Sequence, residues 1–346
     1  MEINIYTIQT AKEYSEKFAE WINRLDIYYD QNYLACDAEM QKGEFEIFTV
    51  SDGKDVFIYP YIKLKINNEG NKFDITSPYG YAGPFCSNKK LFNESEKVFN
   101  DYIFNSGCVT EFVRYHYLYN KEFQFSHNIQ NHINREMVVM DMTEGWEKIW
   151  SNQYSVTNRN LIRKLEKEGY KVTFHDDTKH LNDFIDLYED TMKNAGAENF
   201  YFFSRKYYFN LFEKLAGKIF LTRVIKDDHV YSSSLFFKSG GILTYYLSAR
   251  DLKNYAIPSS NLMISETAKL GVLENQKVFN LGGGRSIIED DALLKFKKNF
   301  YKHTTTFKIG KRIHNNAFYS ELKHKYITDF GAKKYEERKN ILQFYR

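Results

Sequence analysis

Cysteine, proline and tryptophan are scarce in this chain of 346 residues, with three, four and three copies. Cys36, Cys86 and Cys108 are an odd number and lie far apart, which excludes a disulfide framework. No CxxC or Cys/His spacing offers metal ligands, so neither a metal nor a permanently bound cofactor is expected. Four prolines leave little material for rigid linkers. Neither sign of charge dominates, at 48 Lys+Arg against 45 Asp+Glu and a net charge of +3. Bulk charge therefore does not mark a nucleic-acid binder. No run approaches the roughly 20 apolar residues that cross a bilayer. The opening MEINIYTIQTAKEY has neither a basic start nor an apolar stretch and does not read as a signal peptide. A cytoplasmic enzyme with reduced thiols is the expectation.

What is abundant is aromatic: 28 Tyr and 29 Phe. Disorder needs few aromatics, so folded cores are expected, and the length suits about two domains. Basic residues concentrate from Asp291 to Arg346, which reads either as a solvated face or as a site for an anionic ligand.

The second half carries the clearer pattern. An amphipathic helix near 158–168 ends at Gly169, and two more are expected at 181–192 and 206–215. IFLTRVI, VYSSSLFF and ILTYYLSA are separated by Asp227-Asp228 and Gly240-Gly241, a meander signature. Pro258-Ser259-Ser260-Asn261 opens a helix. KVFNL follows as a strand, then a helix near 292–300 and a strand near 304–309. The first half repeats this plan loosely, with helices at 11–22 and 91–103. Its strands are INIYTI, FEIFTV, DVFIYPYIKLKI, KFDITS, CVTEFVRYHYL and MVVMDM. The expected division is 1–145 and 146–346.

Four segments carry chemistry, each with a plainer reading beside it. A strand running into a helix start presents backbone N–H groups that bind phosphate; here that place is Ser259, Ser260 and Asn261, which also suit an ordinary capped helix. Gly282 to Gly284 allow a ligand close to the backbone, and Lys295, Lys297 and Lys298 follow on a helix, although loops use glycine freely and surface lysines are usually solvated. Tyr79 and Tyr81, in SPYGYAGP, can stack on a sugar or base, or simply shape a turn. Alternation along TEFVRYHYL puts Phe112, Arg114 and His116 on one face and Glu111, Val113 and Tyr115 on the other; a satisfied structural pair is the alternative.

In joint order, SPYGYAGP, EFVRYHYLYN, NRNLIRKLEKEG, YYLSARDLKNYAIPSSNLM, FNLGGG, DDALLKFKKNF and the closing FYR resemble the FemAB-like branch of the GNAT acyltransferase superfamily. The resemblance covers about Ser77 to Arg346. It implies an α/β fold of two tandem GNAT-like domains, each a mixed, mostly antiparallel sheet flanked by helices, with a cleft between them. It implies N-acyl transfer by direct attack of an amine, with Lys297 of the Phe296-Lys297 pair near the reacting carbonyl. No Ser-His-Asp or Cys-His arrangement suggests a covalent acyl-enzyme.

The catalytic candidates are Lys297, His116 and Asp291, with Glu111 a further possible base. Donor-binding candidates are Tyr246, Leu247, Ser248, Ser259, Ser260 and Asn261. Acceptor-binding candidates are Tyr79, Tyr81, Arg114, Arg159, Asn280 and Gly283. The expected co-substrate is acyl-CoA, and the expected acceptor is a nucleotide-linked amino sugar of surface polysaccharide synthesis, such as a dTDP-amino-dideoxyhexose. The sequence departs from the resemblance in two places. It lacks a long helical arm of the kind tRNA-using members carry, and the usual Gln/Arg-Gly-x-Gly pyrophosphate signature before Pro258. Aminoacyl transfer from tRNA to a cell-wall precursor, and a non-catalytic binding protein, are the competing readings.

Overall fold

The computed structural model describes residues 1–66, 69–285 and 290–346. The chain divides into two compact units, each discontinuous in sequence. The first comprises Met1–Phe18, Asp37–Asn134 and Phe307–Arg346; the second comprises Ala19–Cys36 and Arg135–Thr306. A single boundary near residue 145 differs from this division chiefly over 19–36 and 307–346. Those segments pack where side-chain contacts, not sequence order, take them.

In the first unit the strands are β1 (Glu2–Tyr6), β2 (Glu44–Ser51), β3 (Val56–Lys65), β4 (Phe73–Thr76), β5 (Phe85–Cys86) and β6 (Cys108–Arg114). β7 (Gln130–Asp141) leads into the second unit, which holds β8 (Lys171–His175), β9 (Ile219–Lys226), β10 (His229–Ser239), β11 (Ile242–Arg250) and β12 (Val278–Gly283). β13 (Thr304–Ile313) returns to the first.

The first unit's sheet has the order β1-β2-β3-β4-β6-β13, with β5 beside β3. β4 and β6 are parallel, joined by the helix Lys89–Asn105, and the other pairs are antiparallel. An aromatic-rich core of Phe48, Phe57, Tyr59, Phe99 and Phe125 fills the space under that helix. The last residues dock here too. Phe344 is fully buried among Tyr319, Tyr326 and Tyr335, and the Arg346 guanidinium donates to Asp74.

The second unit repeats the scheme in the order β7-β12-β11-β10-β9-β8. β11 and β12 form its parallel pair, joined by the helix Ser259–Leu273. A crossover helix is what a parallel connection requires. Its core gathers Ile162 and Leu165 of the helix Val156–Lys167 with Phe220, Phe236, Leu243, Ile264, Phe279 and Leu281. Gly169, with φ of +86°, ends that helix where expected. Both units are thus GNAT-like: mixed, mostly antiparallel sheets flanked by helices.

Some elements depart from the sequence reading. The helix Gln31–Met40 is not among the expected elements, because its apolar residues lie on too many sides to show a 3.6-residue stripe. The helices Asn316–Phe330 and Ala332–Arg338 are likewise additional to the expected elements. The strand expected over 108–118 stops at Arg114. There the Asn120 carboxamide accepts the His116 N–H, and His116 Nδ1 accepts the Leu118 amide, so a local turn replaces the ladder. His116 therefore does not share a strand face with Phe112 and Arg114. Among the described residues no helix is long and apolar enough to cross a membrane.

Candidate active site

The parallel pair of the second unit is short. β11 and β12 match only at Ile242↔Val278, Leu243↔Phe279 and Thr244↔Asn280. Beyond Thr244 the strands part, although β11 runs on to Arg250 and stays paired with β10 on its other side. On the β12 side, residues 245–249 of β11 therefore face no strand among the described residues. The β10–β11 register steps from Leu235↔Leu247 to Phe236↔Tyr245, making Tyr246 the extra residue of a β-bulge. Bulges re-aim the backbone and recur beside active sites. The Tyr246 ring packs on Phe237, and its hydroxyl meets that of Tyr207 at 2.6 Å. Leu247 is buried, and Ser248 Oγ accepts the Tyr245 hydroxyl.

In the first unit the equivalent parallel junction is closed. Ser77 N–H donates to Phe112 O just past the end of β4, and Ser77 Oγ accepts the Arg114 N–H. In the second unit the pairing ends at Thr244↔Asn280, leaving the parallel strands open beyond it.

Two polar side chains sit at the fork of that opening. Thr244 and Asn280 are laterally paired, so they share a face of the sheet, and both are buried. Asn280 Oδ1 accepts the Gly282 N–H, while Asn280 Nδ2 and Thr244 Oγ1 have no partner among the described residues. Buried orphans of this kind cost about 1–3 kcal/mol each unless a ligand or water meets them.

At the far end of β12 lies a charged cluster. Lys297, on the helix Ala292–Lys298, is 6% exposed and donates to Gly283 O at 2.7 Å. Arg135 donates to Gly284 O at 2.9 Å. Burial, joined by the Arg135 charge and opposed by Asp291, pushes the Lys297 ammonium down to about 7. Asp291 caps its helix: Oδ1 accepts Leu294 N–H and Oδ2 accepts Arg285 N–H. With both oxygens receiving amides it acts on Lys297 as a fixed negative charge. The glycines have packing reasons. A Cβ on Gly283 would stand 2.7 Å from Glu136 O, and one on Gly284 2.6 Å from the Asp291 carboxylate.

The helix Ser259–Leu273 begins where the sequence places it, but its first residues are not an open array of amides. Ser259, Ser260 and Asn261 are buried, Ser259 N–H donates to Ile257 O, and Asn261 N–H donates to Pro258 O. The tight turn at Pro258 consumes these donors. Asn261 does connect this helix start to the lysine helix: its Nδ2 donates to Asn158 Oδ1, and Asn158 Nδ2 donates to Asn299 O. The two regions are neighbours through one buried carboxamide. Replacing Asn158 with alanine orphans the buried Asn261 donor, while Asn299 O keeps the Ser155 N–H, and is expected to cost about 1–3 kcal/mol. The shift of the urea midpoint measures this.

The remaining candidates have structural partners. Arg159 donates to the carbonyls of Trp150, Ser151 and Tyr154, tying down the turn before its own helix. His116, in the first unit, is buried and stacked against Tyr117 and Tyr119. Its Nδ1 is engaged as an acceptor, so its geometry is that of a turn residue. Glu111 lies in a buried cluster with Tyr59, Arg312 and His314. Arg114 donates to Thr76 Oγ1 and Ser77 O, Tyr79 N–H donates to Asp37, and Tyr81 packs edge-on to Tyr117 and Phe307. No local pattern marks Arg135, Asn158, Thr244 or Asp37. Each earns its place through a partner distant in sequence.

Residues 155–302 match the family of acetyltransferase (GNAT) domains. This span contains the fork, the helix start and the lysine cluster. No curated protein matches the sequence. Among solved structures, FemX superposes with a TM-score of 0.70 at 13% identity, covering 92% of this chain and 99% of its own. L-PGS from Bacillus licheniformis gives 0.57 at 14% identity, covering 87% and 91%. The C-terminal domain of a provisionally named lysylphosphatidylglycerol synthetase from Agrobacterium fabrum gives 0.58 at 10% identity, covering 93% and 98%. At such identities the likeness is one of fold alone.

Proposed function

We propose that this chain, with its GNAT domain over 155–302, is a cytoplasmic N-acyltransferase that moves an acyl group from acyl-CoA to the amino group of a nucleotide-linked amino sugar in surface polysaccharide synthesis. The observation that carries the proposal is the parting of β11 and β12 beside a buried lysine whose pKa is near neutral. An extended thioester arm can lie along residues 245–249 and take the place of the missing strand, with backbone groups as its partners.

In this reading the amine attacks the thioester carbonyl, forming the N–C bond. The backbone at the Tyr246 bulge, through Leu247 and Ser248, faces the oxyanion. Lys297 takes the proton from the attacking nitrogen and returns it to sulfur as the C–S bond breaks; a group titrating near 7 suits both transfers. Asp291 and Gly283 hold Lys297 in place. Asn280 and Thr244 offer hydrogen bonds to the donor at the fork, and Ser259, Ser260 and Asn261 form the floor behind it. Tyr79, Tyr81 and Arg114 belong to acceptor binding.

The likeness in fold to FemX and to a protein named for making lysylphosphatidylglycerol favours a second reading, aminoacyl transfer from tRNA. Incubation with acetyl-CoA and dTDP-4-amino-4,6-dideoxyglucose is expected to release free thiol and yield the acetamido sugar by mass spectrometry. No thiol release, together with transfer from aminoacyl-tRNA, sinks the first reading in favour of the second.

A further inference from the structure

Thr244, at the fork of the second unit, has a lateral neighbour on each side: Asn280 of β12 and Phe237 of β10. Phe237, Thr244 and Asn280 therefore form one row on one face of the sheet. The Tyr246 ring packs on Phe237 with centroids 4.4 Å apart, so it lies on that same face, beside the point where β11 and β12 part. Tyr246 is only half-buried, and a ligand lying along residues 245–249 can reach it.

The ring is pinned. Its hydroxyl meets that of Tyr207, on the helix Arg205–Lys214, at 2.6 Å. Tyr207 is itself buried and packs on Phe203, with centroids 5.1 Å apart. Phe237 is backed edge-on by Tyr33 at 5.6 Å. As the extra residue of the bulge, Tyr246 has no counterpart on β10, so these side-chain contacts fix its place.

The open edge narrows toward Thr244↔Asn280 and ends there. With the thioester carbonyl at the backbone of the bulge, the acyl carbons lie beside the Tyr246 side chain. Each further methylene must then displace a ring held at both its face and its hydroxyl, and forcing methylenes into packed space is costly.

We infer that Tyr246 is a specificity-determining residue for the donor, its ring walling the end of the open edge so that only a short acyl group, such as acetyl, fits. The inference deepens the proposed acyl-CoA reading and rests on it. It concerns the second unit alone.

Calorimetric titration of the full-length protein with acetyl-CoA, hexanoyl-CoA and CoA tests it without any acceptor. Wild type is expected to bind acetyl-CoA at least about tenfold more tightly than hexanoyl-CoA, since a misfit of one methylene is already worth roughly 10-fold or more. Tyr246→Ala is expected to make the two affinities equal. Tyr246→Val is the second variant, should the first fail to fold with a wild-type melting temperature. A folded variant that keeps the wild-type preference overturns the assignment. Wild type that binds acetyl-CoA no more tightly than hexanoyl-CoA also overturns it, while leaving the acyl-CoA reading standing. Wild type that binds neither thioester nor CoA removes both.

Discussion

Replacing Lys297 with methionine should lower turnover by about 10²–10⁴-fold, the range general acid–base groups supply, while making the protein more stable at neutral pH. Methionine matches the length of the lysine stem, so packing around Leu294 and the end of β12 is retained. The stability gain follows from the sign of the pKa shift. Folding lowers the Lys297 pKa from 10.5 to about 7, so between those values the unfolded chain binds more protons. The buried lysine costs most at and below pH 7, and the cost fades as pH rises toward 10.5. At about 1.4 kcal/mol per pKa unit the cost is roughly 5 kcal/mol. Loss of the hydrogen bond to Gly283 O offsets about 1–3 of that. Urea unfolding of the variant and wild type from pH 6 to 10 should show an advantage for methionine that shrinks with pH. The limb near pH 7 in the kcat/KM profile should vanish with it. A variant with wild-type turnover removes Lys297 from the mechanism.

Glu111→Ala should be the most damaging single change in the first unit. Glu111 and Arg312 are almost completely buried, with the Arg312 guanidinium 3.4 Å from the carboxylate. Tyr59 and His314 also hydrogen-bond to Glu111, and Arg312 reaches Asn100. Removing the carboxylate leaves buried Arg312 with only Glu96 among the described residues, at 3.6 Å, to offset its charge, a loss of up to about 3–5 kcal/mol. The loss is read as a fall in the urea midpoint. Burial alone would raise the Glu111 pKa, but Arg312, His314 and Tyr59 outweigh it and hold the group below its ordinary 4.5. The stability it confers is therefore present above pH 4.5 and lost as pH falls through its lower folded value. The fall in wild-type stability that Glu111 contributes in that window should be absent from the Glu111→Gln variant, which is already weakened at neutral pH. Glu111→Gln should also leave the kcat of the folded protein near the wild-type value, because Glu111 serves the core and does not touch the acyl group.

Composition and local pattern determined much here. Alternation and turn residues gave β9, β10 and β11, Gly169 stopped its helix, and Pro258 opened the next. Asp291 preceded a helix that it caps, and FNLGGG ended a strand against which the lysine helix packs. These rest on backbone propensity and on period, which act over a few residues and can be read in order. Tertiary structure alone decided that β11 and β12 part after three residue pairs, that Tyr246 falls in a bulge, and that Lys297 is buried against Gly283. It also decided that the amides near Ser259 are spent, and that Asp37 meets Tyr79 across 42 positions. The physical reason is that pKa, burial and hydrogen-bond satisfaction depend on what surrounds a side chain in space. For Lys297, Asn158 and Asp37, those surroundings come from segments no local pattern brings together.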